Sequence, residues 1–335
     1  MHRSPLKLIS AFALTLVLAA CSTPQGDGGP PPRGGSPAGT PHGLLVAAGT
    51  GYIHTFTLLT GTEWSERLSY AAPWSTVAVI DSRNELLIAN TSGAEPVSVE
   101  VYDIDTFGLK GAFEWPDSTS MTTLYALAAT RGGDYLAITM SALGPGFLEI
   151  IETATGSIVY TGLDIAAGSN FVWTPDDDLI VAVNLSYEDN PDRWGAIVSF
   201  PLANLLASTD GAVEGTLLAT FTRAEWDVGV NGLALSADGS ELVFERASDL
   251  WVMDLVPDAP QHQLTTGPTN NHGAVFSPSG THIAFASGGR YGLDETYVIP
   301  NHRTAPLFID YLQDAGNEFL LEADTLVDYS LAWLP

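Results

Sequence analysis

Two stretches decide the fold: AVFSPSGTHIAFAS, Ala274 to Ser287, and LALSADGSELVFER, Leu233 to Arg246. Each reads as an apolar strand, a tight turn with Gly, and a second apolar strand. FVWTPDDDLIVAVN (Phe171 to Asn184) is a third copy, with Asp177 where the glycine stands. LAATRGGDYLAITM (Leu127 to Met140) is a fourth, and AVIDSRNELLIAN (Ala78 to Asn90) a looser fifth. Gly, Asn and Asp tolerate the positive φ that short hairpin turns require.

A second pattern follows each of these hairpins. VEVYDIDTFGLKGAF, LEIIETATGSIVYTG and LWVMDLVPDAPQHQLTT each give an alternating strand, a turn and another strand. Near the start of the domain, IHTFTLLTGTEWSERL does the same. Four strands per unit, recurring every ~40–60 residues with no amphipathic helix, predict an all-β fold, a β-propeller. A two-sheet sandwich explains alternation but not the ordered recurrence of both hairpins.

The expected count is six blades. The final stretch, YSLAWLP (Tyr329 to Pro335), is a first strand with nothing after it. The domain begins at Leu44 with segments that match the second, third and fourth strands. Pairing of the C-terminal strand with the N-terminal strands would close the ring and leave only short, protected edges.

The motif Phe-Ser-Pro-Ser-Gly-Thr-His-Ile-Ala-Phe (Phe276 to Phe285), and more weakly Leu235 to Phe244, resembles the TolB-type or WD-like propeller repeat. That resemblance implies a propeller over most of 44–335 and, for TolB-like proteins, work in the cell envelope through protein contacts. It specifies fold better than activity, because its residues build a hairpin.

The N-terminus carries Arg3 and Lys7 ahead of an apolar run, Leu8 to Ala20. This is the layout of a secretory signal peptide, short for a membrane span. The run ends in Leu18-Ala19-Ala20-Cys21, which resembles the lipobox of bacterial lipoproteins. The resemblance implies removal of residues 1–20 and lipidation of Cys21, the chain's one cysteine. Several acyl chains at ~0.8 kcal/mol per buried methylene anchor a protein stably. Residues 21–43 are rich in Gly, Pro and Ser and read as a disordered tether, reaching on the order of 25 Å. Ser22 after the cysteine is compatible with outer-membrane delivery. The expected location is therefore outside the cytoplasm: outer membrane and periplasm in a Gram-negative cell, otherwise the outer face of the cell membrane.

Lys plus Arg total 12 against 39 Asp plus Glu, a net charge of −27. Such a chain repels nucleic acid and anionic membrane surfaces, and attracts cations. A monomer is expected. No G-x-S-x-G, P-loop or H-E-x-x-H motif occurs, and the Asp238-Gly239 spacing does not match a sialidase-type Asp-box. His262, His272, His282 and His302 have no chelating spacing. No cofactor is expected, calcium being the one candidate ion. The acidic runs Asp176-Asp177-Asp178 and Glu188 to Asp192, with Asp189 and Asp192, offer oxygen ligands but lack regular calcium-loop spacing.

One register position offers a binding site. Thr76, Tyr125, Ser169, Asn231, His272 and Tyr329 each fall four residues before the hairpin turn of their unit. If first strands line the channel, these six ring one mouth of it. The expected function is a lipid-anchored, non-catalytic binding propeller of the bacterial cell envelope. It would contact a protein partner or a small ligand at that mouth. The alternative is a calcium-dependent hydrolase on a six-bladed propeller, resembling the acidic phytase or lactonase families, whose motifs are missing here.

Overall fold

A computed structural model describes residues 74–91, 97–115, 123–141, 147–164, 171–184, 194–208, 213–226, 230–288, 294–301, 303 and 305–309. For Leu14–Leu18, Leu44–Gly49, Tyr52–Thr57, Glu63–Ser69, Phe319–Leu321 and Ser330–Leu334 it describes the backbone alone.

The described chain is almost entirely antiparallel sheet, arranged as a β-propeller. Five four-stranded sheets follow one another in sequence, each ordered as a simple meander. Blade I runs from Trp74 to Glu114, blade II from Thr123 to Asp164 and blade III from Phe171 to Phe221. Blade IV runs from Val230 to Gln263 and blade V from Asn270 to Leu321. The first strands of successive blades, I to V, lie beside one another, so they form the inner wall.

The hairpins between first and second strands of blades II to V are built by the same local chemistry. In blade IV, Ser236 N–H donates to Glu241 O at 2.9 Å, and the Glu241 N–H donates back to Ser236 Oγ at 2.9 Å. Ser277 with His282, Thr130 with Tyr135, and Thr174 with Asp178 repeat this reciprocal bonding. The serine of the repeat motif is therefore a turn cap. The residue that needs positive φ is Gly133, Gly239 or Gly280 in blades II, IV and V, and Asp177 (φ 63°) in blade III. In blade I the residue is Asn84 (φ 54°). The small-polar substitution read from sequence holds at both sites.

The core lies between blades rather than within one sheet. In blade III, Leu179, Val181 and Val183 pack into the cluster shared with blade II, while Ile180 and Ala182 face blade IV. All but Val183 are 0% exposed. Equivalent clusters join blades I and II, and blades IV and V.

The sheet expected to make a sixth blade differs in strand number. Ser330–Leu334 is antiparallel to Leu44–Gly49, with Leu44 opposite Leu334 and Ala48 opposite Ser330. Tyr52–Thr57 and Glu63–Ser69 continue the sheet, and Leu14–Leu18 joins it as a fifth strand. Plain four-stranded blades therefore number five among the described residues, against the six expected.

The turn glycines differ in what surrounds them. A Cβ on Gly239 (φ +72°) would lie 2.6 Å from Pro175 in the neighbouring blade, whereas one on Gly156 (φ +66°) meets nothing within 4 Å. Gly239→Ala should destabilise the protein by about 1–3 kcal/mol and Gly156→Ala by about 1 kcal/mol or less. Chemical denaturation of both variants checks the order.

Candidate functional site

The candidate residues are best defined on the inner strands of blades IV and V. Each inner strand carries a β-bulge there. In blade IV it falls between Asn231, opposite Glu245, and Ala234, opposite Val243. In blade V it falls between His272, opposite Ala286, and Val275, opposite Ala284. Gly232 and Gly273 follow the two mouth residues with φ of 61° and 63°. A bulge re-aims the side chain beside it. Asn231 and His272 are both partly exposed, at matching places in adjacent strands. The His272 Nδ1–H donates to Asn270 O at 3.1 Å, which leaves Nε2 as the other ring nitrogen.

The other expected mouth residues are placed differently. Thr76 is 1% exposed and its hydroxyl has no partner among the described residues, so it presents no open surface. The cause is local geometry. The three residues share one rung, opposite Ala89, Glu245 and Ala286, but the ladder of blade I is unbroken there, whereas blades IV and V carry a bulge beside Asn231 and His272 that re-aims them. Tyr125 sits at a bulge in blade II, on a strand described there by backbone alone. Ser169 and Tyr329, like Cys21, lie outside the described residues.

Among the described residues, the acidic run Asp176 to Asp178 is taken up by its own hairpin turn. Asp177 occupies the positive-φ turn position, and Asp178 O accepts the Thr174 N–H at 2.8 Å while its carboxylate accepts from Ser199 Oγ at 3.3 Å. Asp176 is exposed in the same turn. No group of three metal-binding side chains occurs among the described residues. Asp189 and Asp192 lie outside them.

Glu245 was not legible as a site residue. It stands on the second strand of blade IV, opposite Asn231, and its Oε1 accepts the Gly273 N–H of blade V at 2.6 Å. A Cβ on Gly232 would lie 2.0 Å from the same oxygen, so glycine there makes room for the carboxylate. The equivalent position is Ala89 in blade I, Thr139 in blade II, Ala182 in blade III and Ala286 in blade V. Only comparison of the second strands, copy by copy, exposes the exception. Desolvation pushes the Glu245 pKa up, opposed by the charge of His272 and the Gly273 N–H.

A buried polar network fixes the neighbouring strand. Asn271, 0% exposed, uses all its hydrogen-bonding capacity. Nδ2 donates to Thr265 Oγ1 (3.2 Å) and Asp249 Oδ1 (3.3 Å), and Oδ1 accepts from Ser287 Oγ (2.9 Å) and Thr269 Oγ1 (3.1 Å). Gln263 Nε2 donates to the other oxygen of Asp249 at 3.0 Å. Burial pushes Asp249 up while these hydrogen bonds pull it down. The network fixes the backbone one residue before His272.

The geometry defines a β-propeller. No family model and no curated protein matches the sequence. Solved structures do. The chain is similar to TolB from Acinetobacter baumannii, with a TM-score of 0.58 and 14% identity, over 85% of this chain and 65% of that one. It thus spans just under two thirds of that TolB chain. A nidogen/laminin complex matches with a TM-score of 0.55 and 15% identity, over 77% of this chain and 88% of that one. The Cps50 (Swd1) β-propeller domain of Myceliophteria thermophila gives 0.50 and 13%, over 84% and 94%. At these identities the likeness shows the fold.

The raised pKa of Glu245 has a definite sign. A carboxyl that holds its proton more tightly when folded favours the native state most at low pH. That contribution is lost as pH rises from the ordinary value of 4.5 toward the raised one. Glu245→Gln keeps an Oε1 acceptor for Gly273 and removes the titration. The variant should gain on the unaltered protein as pH rises from about 4 to about 8, read as the difference in thermal midpoints. A constant difference would contradict the assignment.

Proposed function

We propose that this protein is a non-catalytic binding propeller, exported and held to a bacterial envelope membrane by lipid on Cys21, with residues 21–43 as the tether. Its binding surface is the inner mouth, where it contacts a protein partner or a small ligand. The observation that carries this reading is the pair Asn231 and His272. Two bulges re-aim these side chains at matching places on adjacent inner strands, and both remain partly exposed. Tyr125, at the blade II bulge, belongs to the same surface. The TolB likeness supports an envelope setting, and one similar structure is itself a protein–protein complex.

Capture from detergent-solubilised envelope, with the full chain as bait, tests the reading. Substituting Tyr125, Asn231 and His272 together by alanine should weaken capture at least tenfold, on the order expected for central contact residues, without changing the melting temperature. Unchanged capture overturns the mouth as the binding surface. In the same cells Cys21→Ser should move the protein from the membrane to the soluble fraction.

Ring closure belongs to the same proposal. The sixth blade forms from Ser330–Leu334 with the three strands that begin at Leu44, and the signal peptide, including Leu14–Leu18, is removed on export. Deleting residues 329–335 should then lower the melting temperature of the whole domain by roughly 5 °C or more. A truncated protein that melts normally would refute closure.

A further inference from the structure

We propose that the outer edge of blade I, the strand Leu109–Glu114, pairs with the same strand of a second copy of this chain. The two blades join antiparallel about a two-fold axis at Ala112. This surface is separate from the mouth, which lies on the inner strands.

The outer strands of the blades differ in how far they are covered. Leu109, Lys110, Gly111, Ala112 and Glu114 are exposed, and Phe113 is partly so. Leu109, at 59%, is the most exposed large hydrophobic side chain among the described residues. Among those residues no strand pairs with the far side of this edge. By contrast Tyr160, Leu218 and Phe221, on the outer strands of blades II and III, are buried. The blade I edge is also the most regular. Its rungs run unbroken from Glu114 opposite Ser98 to Gly111 opposite Val101, and one bulge follows at Lys110. The outer strand of blade II is bulged twice and that of blade III once, while those of blades IV and V are two and three residues long. Bulges and shortness both discourage edge pairing.

The ladder decides which backbone groups are left for a partner. Trp115 N–H donates to Val97 O at 2.7 Å, which makes Val97 and Trp115 a hydrogen-bonded rung. Phe113 with Val99 and Gly111 with Val101 repeat it at steps of two. Within the unbroken run, the N–H and C=O of Ala112 and Glu114 therefore point out of the edge. A second copy must set residues of this kind opposite them, and three registers do so. Glu114 against Glu114 opposes like charges, which destabilises. Ala112 against Glu114 carries Lys110 past the end of the partner strand. Ala112 against Ala112 brings Lys110 beside Glu114 of the copy, and symmetry makes that contact twice. It also covers Gly111 with Phe113 of the copy, the aromatic cover that compensates an edge glycine.

A lysine on an edge strand ordinarily keeps other edges away. Here Glu114 stands at the place that receives it. The present contacts of Lys110 Nζ are long: 3.3 Å to Arg83 O, 3.4 Å to Glu85 and 3.7 Å to Asp103. Its side chain is 37% exposed, so little holds it back from the carboxylate of the copy. Each copy carries a net charge of −27, and that repulsion opposes association from a distance. The pairing is therefore weak, and the monomer expected from the sequence is the form at low concentration.

Disulfide trapping of the full-length protein in detergent, at about 0.15 M salt to screen the repulsion, tests the pairing. Opposed residues of a hydrogen-bonded antiparallel rung have Cα atoms ~5.5 Å apart, within disulfide reach. Ala112→Cys should therefore form a covalent dimer under mild oxidation. Gly111→Cys and Phe113→Cys lie two residues out of step with their copies, beyond that reach, and should be trapped at least about tenfold more slowly. The unaltered protein, with Cys21 alone, sets the background. Glu114→Lys should weaken the dimer at least about fivefold by sedimentation equilibrium, because two cross-strand pairs turn repulsive. Lys110→Glu combined with Glu114→Lys should recover it. Trapping at Gly111 or Phe113 as fast as at Ala112 overturns the proposal, and so does a dimer indifferent to Glu114→Lys. A protein that stays monomeric at about 0.1 mM overturns it too, and leaves the edge to a different occupant. The trapping variants change no charge, so they stand even where the charge-swapped protein folds poorly.

Discussion

Burial of both faces of every blade is the constraint on which this architecture depends. A sheet with one wet face alternates apolar and polar residues, but a propeller blade has a neighbour on each side. Leu179-Ile180-Val181-Ala182 is consequently an unbroken apolar run, its odd and even members serving different interfaces. Each fully buried aliphatic side chain contributes about 1.5–3 kcal/mol, so stability resides in the seams between sheets. Such a protein needs no disulfide, and the one cysteine lies outside the described blades.

The hairpins were legible because their chemistry is local. A Ser or Thr that caps its own turn recurs in blades II to V, and a Gly, Asn or Asp at positive φ in all five, each pair within six residues. The strands were legible because double burial imposes long apolar runs. Blade closure was read from the phase of the repeat; the backbone pairs Leu44 with Leu334, but in a five-stranded sheet that differs from the four-stranded blade expected.

The candidate site was legible only in part, and the obstacle was geometric. Counting along the chain found the rung but not the bulges. Thr76, Asn231 and His272 stand at the same level of their blades, yet a bulge lies beside the last two alone, and they are partly exposed while Thr76 is buried. Their signature, a glycine directly after each mouth residue, is present in the sequence as Asn231-Gly232 and His272-Gly273. Glu245 escaped notice because a single Glu in a strand reads as a solvated residue until its counterparts in the other blades are found to be alanine or threonine.

The seams are not equivalent. Blades II and III meet through aliphatic and aromatic packing around Phe171, Trp173 and Leu148. Blades IV and V are joined by Asn271 and its four side-chain partners, by Asn271 N–H to Ser248 O at 2.9 Å, and by a short parallel strand pair, Thr265–Thr266 with Leu307–Phe308. Hydrogen bonds hold their partners to a narrow range of distance and angle, which apolar contact does not demand. The Asn271 cluster therefore fixes how far the inner strand of blade V can slide against blade IV, a constraint that the aliphatic packing between blades II and III does not impose.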